Sequence, residues 1–292
     1  METNERKIIG VDIGGSHIAA GEVFWNERRV RAGSQRRMSV DSHASSEVVI
    51  NSWANFLSQF VEETNKDHIR IGIAMPGPFD YTEGISYIKE LNKYDALYGV
   101  NVKKELATIL GIPKEHILFR NDAEAFLQGE VVYRAGLTET KVVGITLGTG
   151  LGSAVSDKGA CKDVFWAIRP MKQGIAEDYI SSRWFTHRYR ELCGGQLESV
   201  EALAKGQDPC KEQLFEEFAA HLAVFLDDFI NEESASAVII GGNIARCLDL
   251  FIDELRAKLD NKQVQLYQSA LWEDAALLGA AYLWENEIAK SI

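Results

Sequence analysis

Glycine and threonine residues cluster where an apolar stretch should end. Residues 144–152 read GITLGTGLG. Glycine inside a strand weakens it, so the cluster predicts either an ordinary hairpin turn or a point where another molecule approaches the backbone. Successive backbone N–H groups in such a turn form a concavity that suits a phosphate group, and threonine hydroxyls would add to it. The candidate phosphate ligands in this segment are Thr146, Gly148, Thr149, Gly150 and Gly152.

A similar segment occurs earlier in the chain. Residues 9–20 (IGVDIGGSHIAA) align with residues 143–154 (VGITLGTGLGSA) at one constant offset. Here the turn is Gly14–Gly15–Ser16, and Asp12 lies beside it at the end of the predicted strand. A carboxylate next to bound phosphates is typical of Mg²⁺ sites, since Mg²⁺ prefers one or two carboxylates plus phosphate oxygens. Two such elements far apart predict two halves built on one plan, with chance similarity between two hairpins as the alternative.

Two further segments place polar or small residues at strand ends. In RNDAEAFLQGE (120–130), Asn121 and Asp122 precede a predicted helix. Asp122 could cap that helix or face a ligand, and an asparagine amide can both donate to and accept from a sugar hydroxyl. In IIGGNIA (239–245), Gly241 and Gly242 could let a flat ring lie against the backbone, or they could serve strand-to-helix turn chemistry alone.

Composition excludes several classes of protein. The chain has 292 residues, 46% of them apolar and 25% charged, with a net charge of -12. This acidity argues against a dedicated nucleic-acid or anionic-membrane binder. No apolar run approaches the length of a membrane span, and the charged start of the sequence is unlike a secretion signal. The four cysteines form no CxxC pair or Cys/His cluster, so we expect reduced thiols and a cytoplasmic protein.

Apolar periodicity predicts an alternating pattern of strands and helices. Strands are expected near 6–13, 17–25, 28–39, 69–74, 117–120, 141–147, 151–157, 236–242 and 263–267. Helices are expected near 45–64, 101–110, 123–135, 175–190, 198–204, 211–231, 244–259 and 273–289. A meander followed by helices and strands occurs twice, which predicts an α/β protein of two domains. We expect a small N-terminal lobe of residues 1–118 plus 275–292 and a large C-terminal lobe of residues 119–274.

Two common nucleotide-binding patterns are missing. The sequence contains neither the P-loop pattern GxxxxGK[ST] nor the dinucleotide fingerprint GxGxxG. A Walker-type NTPase and a Rossmann dehydrogenase are therefore both disfavoured. Any phosphate site must be built from the two glycine turns instead.

Five segments in order resemble the motif set of the ROK family of sugar kinases, which belongs to the superfamily of actin-like ATPases. They are VDIGGSHIAAG, AMPGPFD, NDAEAFLQGE, GITLGTGLGSA and IIGGNIA. The resemblance implies a two-lobed, actin-like ATPase (ribonuclease H-like) fold with an internal duplication and an ATP cleft between the lobes. It implies that both glycine turns grip phosphates and that Gly241, Gly242 and Asn243 face adenosine.

The resemblance also implies an activity. An ATP-dependent carbohydrate kinase would transfer the γ-phosphate of ATP to a hydroxyl of a hexose or hexose derivative. Asp122 matches the family's general base, and Asp12 would hold Mg²⁺ through water or phosphate. Glu177 aligns loosely with a sugar-binding glutamate, although it could equally serve only to favour a helix N-terminus.

The sequence departs from the family on the sugar side. Residues 163–179 (DVFWAIRPMKQGIAEDY) contain no His or Cys, so we expect no zinc site. The segment YIKELNKYDALYG (87–99) replaces the usual sugar loop; Glu90 and Asn92 are candidate sugar ligands, and Lys93 is interpreted as a solvated loop residue. The expected partner is a small-molecule sugar, with a homodimer as in related kinases. A sugar- or nucleotide-sensing protein without turnover is the alternative.

Overall fold

The structure, a computed structural model, describes residues 6–61 and 65–285. The chain divides into two units: unit 1 comprises Met1–Tyr133 and Glu273–Ile292, and unit 2 comprises Arg134–Trp272. The division after Tyr133 lies later than the expected boundary at residue 118, because the helix that begins at Asp122 packs within unit 1. At the other end the division falls close to the expected residue 275.

The strands and helices follow the predicted order. The strands are β1 Lys7–Ile13, β2 His17–Phe24, β3 Arg29–Val30, β4 Arg36–Ser39, β5 Ile69–Met75, β6 Phe79–Asp80, β7 Ile85–Ser86, β8 Ile117–Asn121, β9 Val142–Leu147, β10 Leu151–Asp157, β11 Ala160–Asp163, β12 Pro170–Met171, β13 Gly174–Ile175, β14 Ala237–Gly241 and β15 Gln265–Gln268. The helices are α1 Ser46–Val61, α2 Val102–Leu110, α3 Asp122–Tyr133, α4 Ala176–Tyr179, α5 Ser182–Cys193, α6 Val200–Lys205, α7 Lys211–Glu233, α8 Ile252–Lys258 and α9 Glu273–Ala281.

Each unit is organised around one mixed sheet. In unit 1 the strand order is β3-β2-β1-β5-β8, with β4 also paired to β2. β1 pairs antiparallel to β2 and parallel to β5, which pairs parallel to β8. All seven residues of β5 are buried, as expected for a parallel strand covered on both faces.

The sheet of unit 2 repeats this topology. Its order is β11-β10-β9-β14-β15, with β9 antiparallel to β10 and parallel to β14, and β14 parallel to β15. The internal duplication is therefore confirmed. The two hairpins differ in one respect: Ile13 pairs with Ile18 in the first, whereas Leu147 pairs with Leu151 in the second, so the second turn is one residue shorter.

Helix α9 packs closely on unit 1 through glycines. A Cβ atom on Gly279 would lie 1.8 Å from the carbonyl oxygen of Ala125, and one on Gly129 would lie 2.0 Å from that of Ala275. A Cβ on Gly10 of β1 or on Gly72 of β5 would likewise lie 2.0 or 2.1 Å from a backbone carbonyl oxygen of α9. α9 therefore contacts both the central strands and α3 with no side chain in between.

Three expected elements are interrupted. The strand at 28–39 splits into β3 and β4 around a turn containing Gly33, whose φ of 77° is left-handed. The helix at 175–190 breaks at Ile180 and restarts after Ser181, which is extended with φ −154°. The helix at 244–259 is a 3₁₀ helix, Ile244–Leu250, followed by α8, because Phe251 leaves helical geometry at φ −140°. The last helix ends at Ala281, and part of its expected span lies outside the described residues.

The expectation of four reduced thiols is wrong for one pair. Cys193 and Cys210 form a disulfide, with Cα atoms 6.6 Å apart, because the end of α5 and the start of α7 meet in unit 2. Such a contact depends on packing and leaves no spacing signal in the sequence. Cys161 and Cys247 are not part of this disulfide.

Among the described residues, none of the helices combines the length and the apolar character needed to cross a membrane.

Candidate functional site

The two candidate aspartates lie at one edge of the unit 1 sheet. β1, β5 and β8 are parallel, so their carboxyl ends share an edge, which is where ligands bind in open α/β sheets. Asp12 pairs with Ala74 near the end of β5, and Met75 pairs with Asn121 at the end of β8. Asp122 follows directly as the first residue of α3. The fold thus brings together the residues expected to bind a metal and to act as base.

Asp12 is electrostatically unusual. Burial, followed by the negative charges of Asp122 and Glu273, raises its pKa to about 7, and only Arg37 opposes this shift. The sheet register explains the influence of Arg37, since Asp12 pairs with Ala19 and Ala19 pairs with Arg37. Two neighbouring carboxylates repel the negative charge of Asp12. A divalent cation bound to Asp12 would relieve this repulsion, so Asp12 is a suitable ligand for one.

The turn between β1 and β2 presents backbone amides to the surface. It is closed by the N–H of Gly14 donating to the carbonyl of His17 at 2.9 Å. Gly15 and Ser16 are exposed, and within the described part of the chain their N–H groups have no acceptor. The turn can therefore donate two adjacent hydrogen bonds to an anion.

Asn121, rather than Asp122, carries out most of the helix capping. Its Oδ1 accepts from the N–H groups of Ala123 at 2.8 Å and Glu124 at 3.2 Å, while its Nδ2 donates to the Tyr81 hydroxyl at 3.3 Å. Asp122 accepts a 2.9 Å hydrogen bond from Ala123 and is only partly buried. The Asp122 carboxylate thus retains lone pairs for a ligand.

The loop at 89–95 is anchored to the glycine turn. Glu90, Asn92 and Tyr94 have left-handed backbones, with φ of 61°, 56° and 55°. Glu90 and Asn92 are exposed, whereas Tyr94 is buried and its hydroxyl donates to the carbonyl oxygen of Gly14 at 2.5 Å. Lys93 is partly buried: a Cβ placed on Gly15 would lie 3.5 Å from its Cδ. The loop folds back onto the turn, so the stem of Lys93 packs on Gly15, whereas the sequence interpretation treats this residue as part of a solvated loop.

The second glycine turn joins β9 to β10 in unit 2. The N–H of Gly148 donates to the carbonyl of Gly150 at 3.0 Å, and the carbonyl of Gly148 accepts from the N–H of Ser182, the first residue of α5, at 2.8 Å. Thr146 pairs with Gly152 across the hairpin. Within the described residues the N–H groups of Thr149 and Gly150 have no acceptor. This turn offers the same kind of anion-binding surface as its counterpart in unit 1.

Glu177 lies against the second turn. Its Oε2 accepts from the N–H of Leu151 at 2.9 Å, and its Oε1 accepts from Arg183. A Cβ on Gly150 would lie 2.5 Å from Oε2, so a larger residue at this position would have to displace the carboxylate. Glu177 supports the turn whatever ligand it also contacts.

Gly241 is the last residue of β14, the strand next to β9, and Gly242 and Asn243 follow it. Gly241 pairs with Thr146, and Gly242 has a φ of 84° with its Cα so close to β9 that a Cβ would lie 2.4 Å from the carbonyl oxygen of Leu147. A cavity of about 850 Å³ opens beside them within unit 2. Its lining includes Gly148, Thr149, Ser182, Ser199, Lys205, Asn243, Arg246 and Cys247. The cavity thus combines residues of the second turn with Asn243, the one residue of the segment expected to face adenosine that lines it.

The described residues contain one group of potential metal ligands of the Cys, His, Asp and Glu type: Cys193, Asp208 and Cys210. The two sulfur atoms are bonded to each other, and both Asp208 oxygens accept hydrogen bonds, from Tyr189 and from the N–H of Cys210. These groups already have partners within the protein. They play no part in the arrangement around Asp12.

Sequence reasoning missed the residues that support the site. The expected residues assemble as one set in unit 1, around Asp12 and Asp122, and another in unit 2, around the second turn. Tyr94 and Arg37 join the first set through contacts between segments distant in sequence. No local signal marks either residue, because a buried tyrosine and a strand arginine occur in most α/β proteins.

Comparison with known proteins agrees with this architecture. A model of the ROK family matches residues 8–162 and 171–287. A glucokinase of Thermotoga maritima is 25% identical over an alignment covering 97% of this chain and 98% of the relative. An N-acetyl-D-glucosamine kinase of Histophilus somni is 23% identical over an alignment covering 81% of this chain and 83% of the relative.

Solved structures share the fold. The crystal structure of a ROK family glucokinase from Streptomyces griseus, in complex with glucose and AMPPNP, superposes with a TM-score of 0.74 at 24% identity, covering 95% of this chain and 98% of that one. A ROK hexokinase from Thermus thermophilus gives a TM-score of 0.72 at 20% identity, covering 97% and 99%. The actin-like ATPase fold expected from the sequence is confirmed.

Proposed function

The chain belongs to the ROK family, and we propose that it is an ATP-dependent carbohydrate kinase that transfers the γ-phosphate of ATP to a hydroxyl of a hexose or N-acetylated hexosamine. The names of its relatives, glucokinase and N-acetyl-D-glucosamine kinase, support this substrate class. The observation that carries the proposal is the pair Asp12 and Asp122 at one sheet edge, beside an exposed turn with free amides.

Asp122 acts as general base in the proposed mechanism. Its carboxylate takes the proton of the acceptor hydroxyl as that oxygen bonds to the γ-phosphorus, and the bond to the bridging oxygen breaks to release ADP. The Oδ1 atom of Asn121 caps the start of α3, and its Nδ2 donates one hydrogen bond to Tyr81. The remaining N–H of this amide is the group that would contact the sugar. The remaining proposed sugar ligands are Glu90, Asn92 and Glu177.

The glycine turns act as proposed phosphate ligands. In unit 1 the amides of Gly15 and Ser16 would donate to phosphate oxygens, and in unit 2 those of Thr149 and Gly150 would do the same. The unit 2 cavity beside Gly241, Gly242 and Asn243 is the proposed nucleoside site. Amides fixed in place before the substrate binds stabilise developing charge without reorganising, which is the main requirement of phosphoryl transfer.

Asp12 is the residue that would hold Mg²⁺, directly or through water. The raised pKa of Asp12 reflects burial and neighbouring carboxylates, and this excess negative charge fits a divalent cation. When bound, Mg²⁺ neutralises charge on the phosphate oxygens.

The test is ADP release by the purified protein against a panel of hexoses, hexosamines and their N-acetylated forms. We expect sugar-dependent turnover in the wild type and a loss of 10²-fold or more, roughly, in Asp122→Asn, with ATP affinity retained. Glu83→Gln, an exposed carboxylate in the same unit, is the control and should remain active. Full activity of Asp122→Asn would remove this residue from the mechanism.

The same panel distinguishes the alternative of a sensing protein. If ATP and a sugar raise the melting temperature but no ADP forms with any acceptor, the protein binds its ligands without turnover. That outcome would contradict the kinase proposal while leaving the binding sites in place.

A further inference from the structure

We propose that Lys93 is a catalytic residue whose ammonium group binds the terminal phosphate of ATP at the turn Gly14–Ser16. This inference rests on the proposed function, because it assigns a further residue to the same phosphate site. The sequence alone favours a solvated loop residue at Lys93, and the proposal follows from its position in the folded chain.

The loop holds the Lys93 stem against the turn. The adjacent residue, Tyr94, is fully buried; its hydroxyl donates to the Gly14 carbonyl at 2.5 Å, and its N–H donates to the Ser42 carbonyl at 2.8 Å. These two bonds fix the loop on the turn. The Lys93 side chain then lies over Gly15, with Cδ 3.5 Å from the position that a Cβ on Gly15 would occupy. The ammonium group is two bonds beyond Cδ, so it can reach the turn that carries the free amides of Gly15 and Ser16.

The loop backbone is strained at alternate residues around Lys93. Asn92 and Tyr94, on either side of it, and Glu90 all have left-handed φ values between 55° and 61° without being glycine. Such conformations cost free energy and persist only where surrounding contacts impose them, which occurs most often at ligand sites. Here the Tyr94 contacts impose them, and the result is that Lys93 packs on the turn.

The other cations near the turn are already committed or neutral. Arg37 forms an ion pair with Glu273 at 3.1 Å. Burial is the main cause that lowers the pKa of His17, and the charge of Arg37 lowers it further. The His17 ring is therefore neutral near pH 7. Within the described part of the chain Lys93 has no ion-pair partner and no hydrogen-bond acceptor for its side chain. It is the cation free to meet an incoming anion.

The local charge makes such a cation necessary. Asp12 and Asp122 both face this edge, and Glu273 adds a third carboxylate to the field at Asp12. ATP adds several negative charges to the same region. A lysine ammonium is a compact point charge with three donors, which suits phosphate oxygens whose charge redistributes as the γ-phosphoryl group leaves ADP. The acceptor hydroxyl loses its proton to Asp122, so Lys93 contributes charge and hydrogen-bond donors alone.

The experiment compares Lys93→Met and Lys93→Arg with Lys104→Met as the control. Lys104 is an exposed lysine on α2 of the same unit. Kinetics would be measured with the sugar found in the ADP-release panel, varying ATP and sugar separately. Binding of Mg·ATP would be measured by isothermal titration calorimetry, which does not require turnover.

We expect Lys93→Met to lower kcat/KM for ATP by about 10- to 100-fold, with KM for the sugar nearly unchanged and Mg·ATP binding weakened. Lys93→Arg should recover much of the loss, because it restores the charge. Lys104→Met should match the wild type in all of these measurements.

Unchanged kcat and KM for ATP in Lys93→Met would overturn the proposal, as would a loss confined to KM for the sugar. A wild-type protein that binds Mg·ATP without turnover would contradict the proposed kinase activity alone. In that case the calorimetric comparison still decides whether Lys93 binds phosphate.

Discussion

The hydroxyl of Tyr94 donates a 2.5 Å hydrogen bond to the carbonyl oxygen of Gly14, and this bond joins the loop at 89–95 to the first glycine turn. Tyr94 is fully buried, and its ring packs edge-on against Trp53 of α1, with centroids 5.2 Å apart. Burial, and next the negative charge of Asp12, raise the pKa of the phenol, so it stays protonated and remains a donor. A proposed sugar loop and a proposed phosphate turn therefore share one rigid support.

Tyr94→Phe tests this support. The substitution removes one hydrogen bond and leaves the buried side of the ring intact, so the free energy of unfolding should fall by about 1 kcal/mol. KM for ATP should rise several-fold, since the turn loses its anchor to the loop. Urea denaturation and steady-state kinetics measure the two effects. Tyr87→Phe, at an exposed ring, should change neither. A stability loss with unchanged KM for ATP would show that the bond serves folding alone.

The raised pKa of Asp12 predicts an unusual dependence of stability on pH. The pKa of Asp12 is about 7 in the folded state against an ordinary value of 3.8, so the folded state binds more protons than the unfolded state between these two pH values. Protonated Asp12 therefore contributes to the free energy of unfolding. This contribution has its full value below about pH 4, decreases as the pH rises towards 7 and is absent above pH 7. Burial is the main cause of the raised pKa, the charges of Asp122 and Glu273 add to it, and the charge of Arg37 opposes it.

Asp12→Asn is the variant that isolates this contribution. Its amide does not titrate, so the difference in free energy of unfolding between variant and wild type should grow in favour of the variant from pH 4 to pH 7. The difference should reach at most the order of 4 kcal/mol. Urea titrations at pH 5, 6, 7 and 8 without Mg²⁺ or nucleotide provide the comparison. Parallel curves for the two proteins would contradict the assigned pKa.

Gly150→Ala tests the fit between Glu177 and the second turn. The new Cβ would lie 2.5 Å from Oε2 of Glu177, which already accepts from the Leu151 N–H at 2.9 Å. Because Glu177 is also held by Arg183, displacing it should cost about 1–2 kcal/mol of stability. Gly148→Ala is the matched control, since its Cβ would meet nothing closer than 4.0 Å. Equal destabilisation by the two substitutions would point to backbone conformation instead of this contact.

Local sequence signals predicted the strands and turns well but not the contacts between them. The duplicated hairpins could be found in the sequence because each combines an apolar strand with a glycine turn. The periodicity of apolar residues and the glycine content of a segment are local properties that the sequence shows directly. The extra residue in the first turn was not foreseen, since register depends on pairing rather than on the strand's own sequence. The helix at 175–190 was expected to be continuous because its residues favour helix, yet tertiary packing breaks it at Ile180.

The supporting residues of the site show the same limit. Tyr94 lies 80 residues from Gly14 in sequence, and Glu177 lies 26 residues from Leu151. Lys93 was interpreted as solvated because lysines in polar loops usually are, and only the folded loop reveals the glycine beneath it. Residue type and position predicted which groups could do chemistry, but their partners followed from the fold.

The glycine contacts of α9 have a consequence for the order in which the protein forms. Unit 2 is one continuous segment, whereas unit 1 is completed by residues that the ribosome adds after all of unit 2. Until Glu273–Ala281 emerges, β1 and β5 present Gly10 and Gly72 as an uncovered apolar surface on the nascent chain. Unit 2 can therefore fold first. The N-terminal segment of unit 1, although it is synthesised earlier, can complete its packing only after α9 has been synthesised.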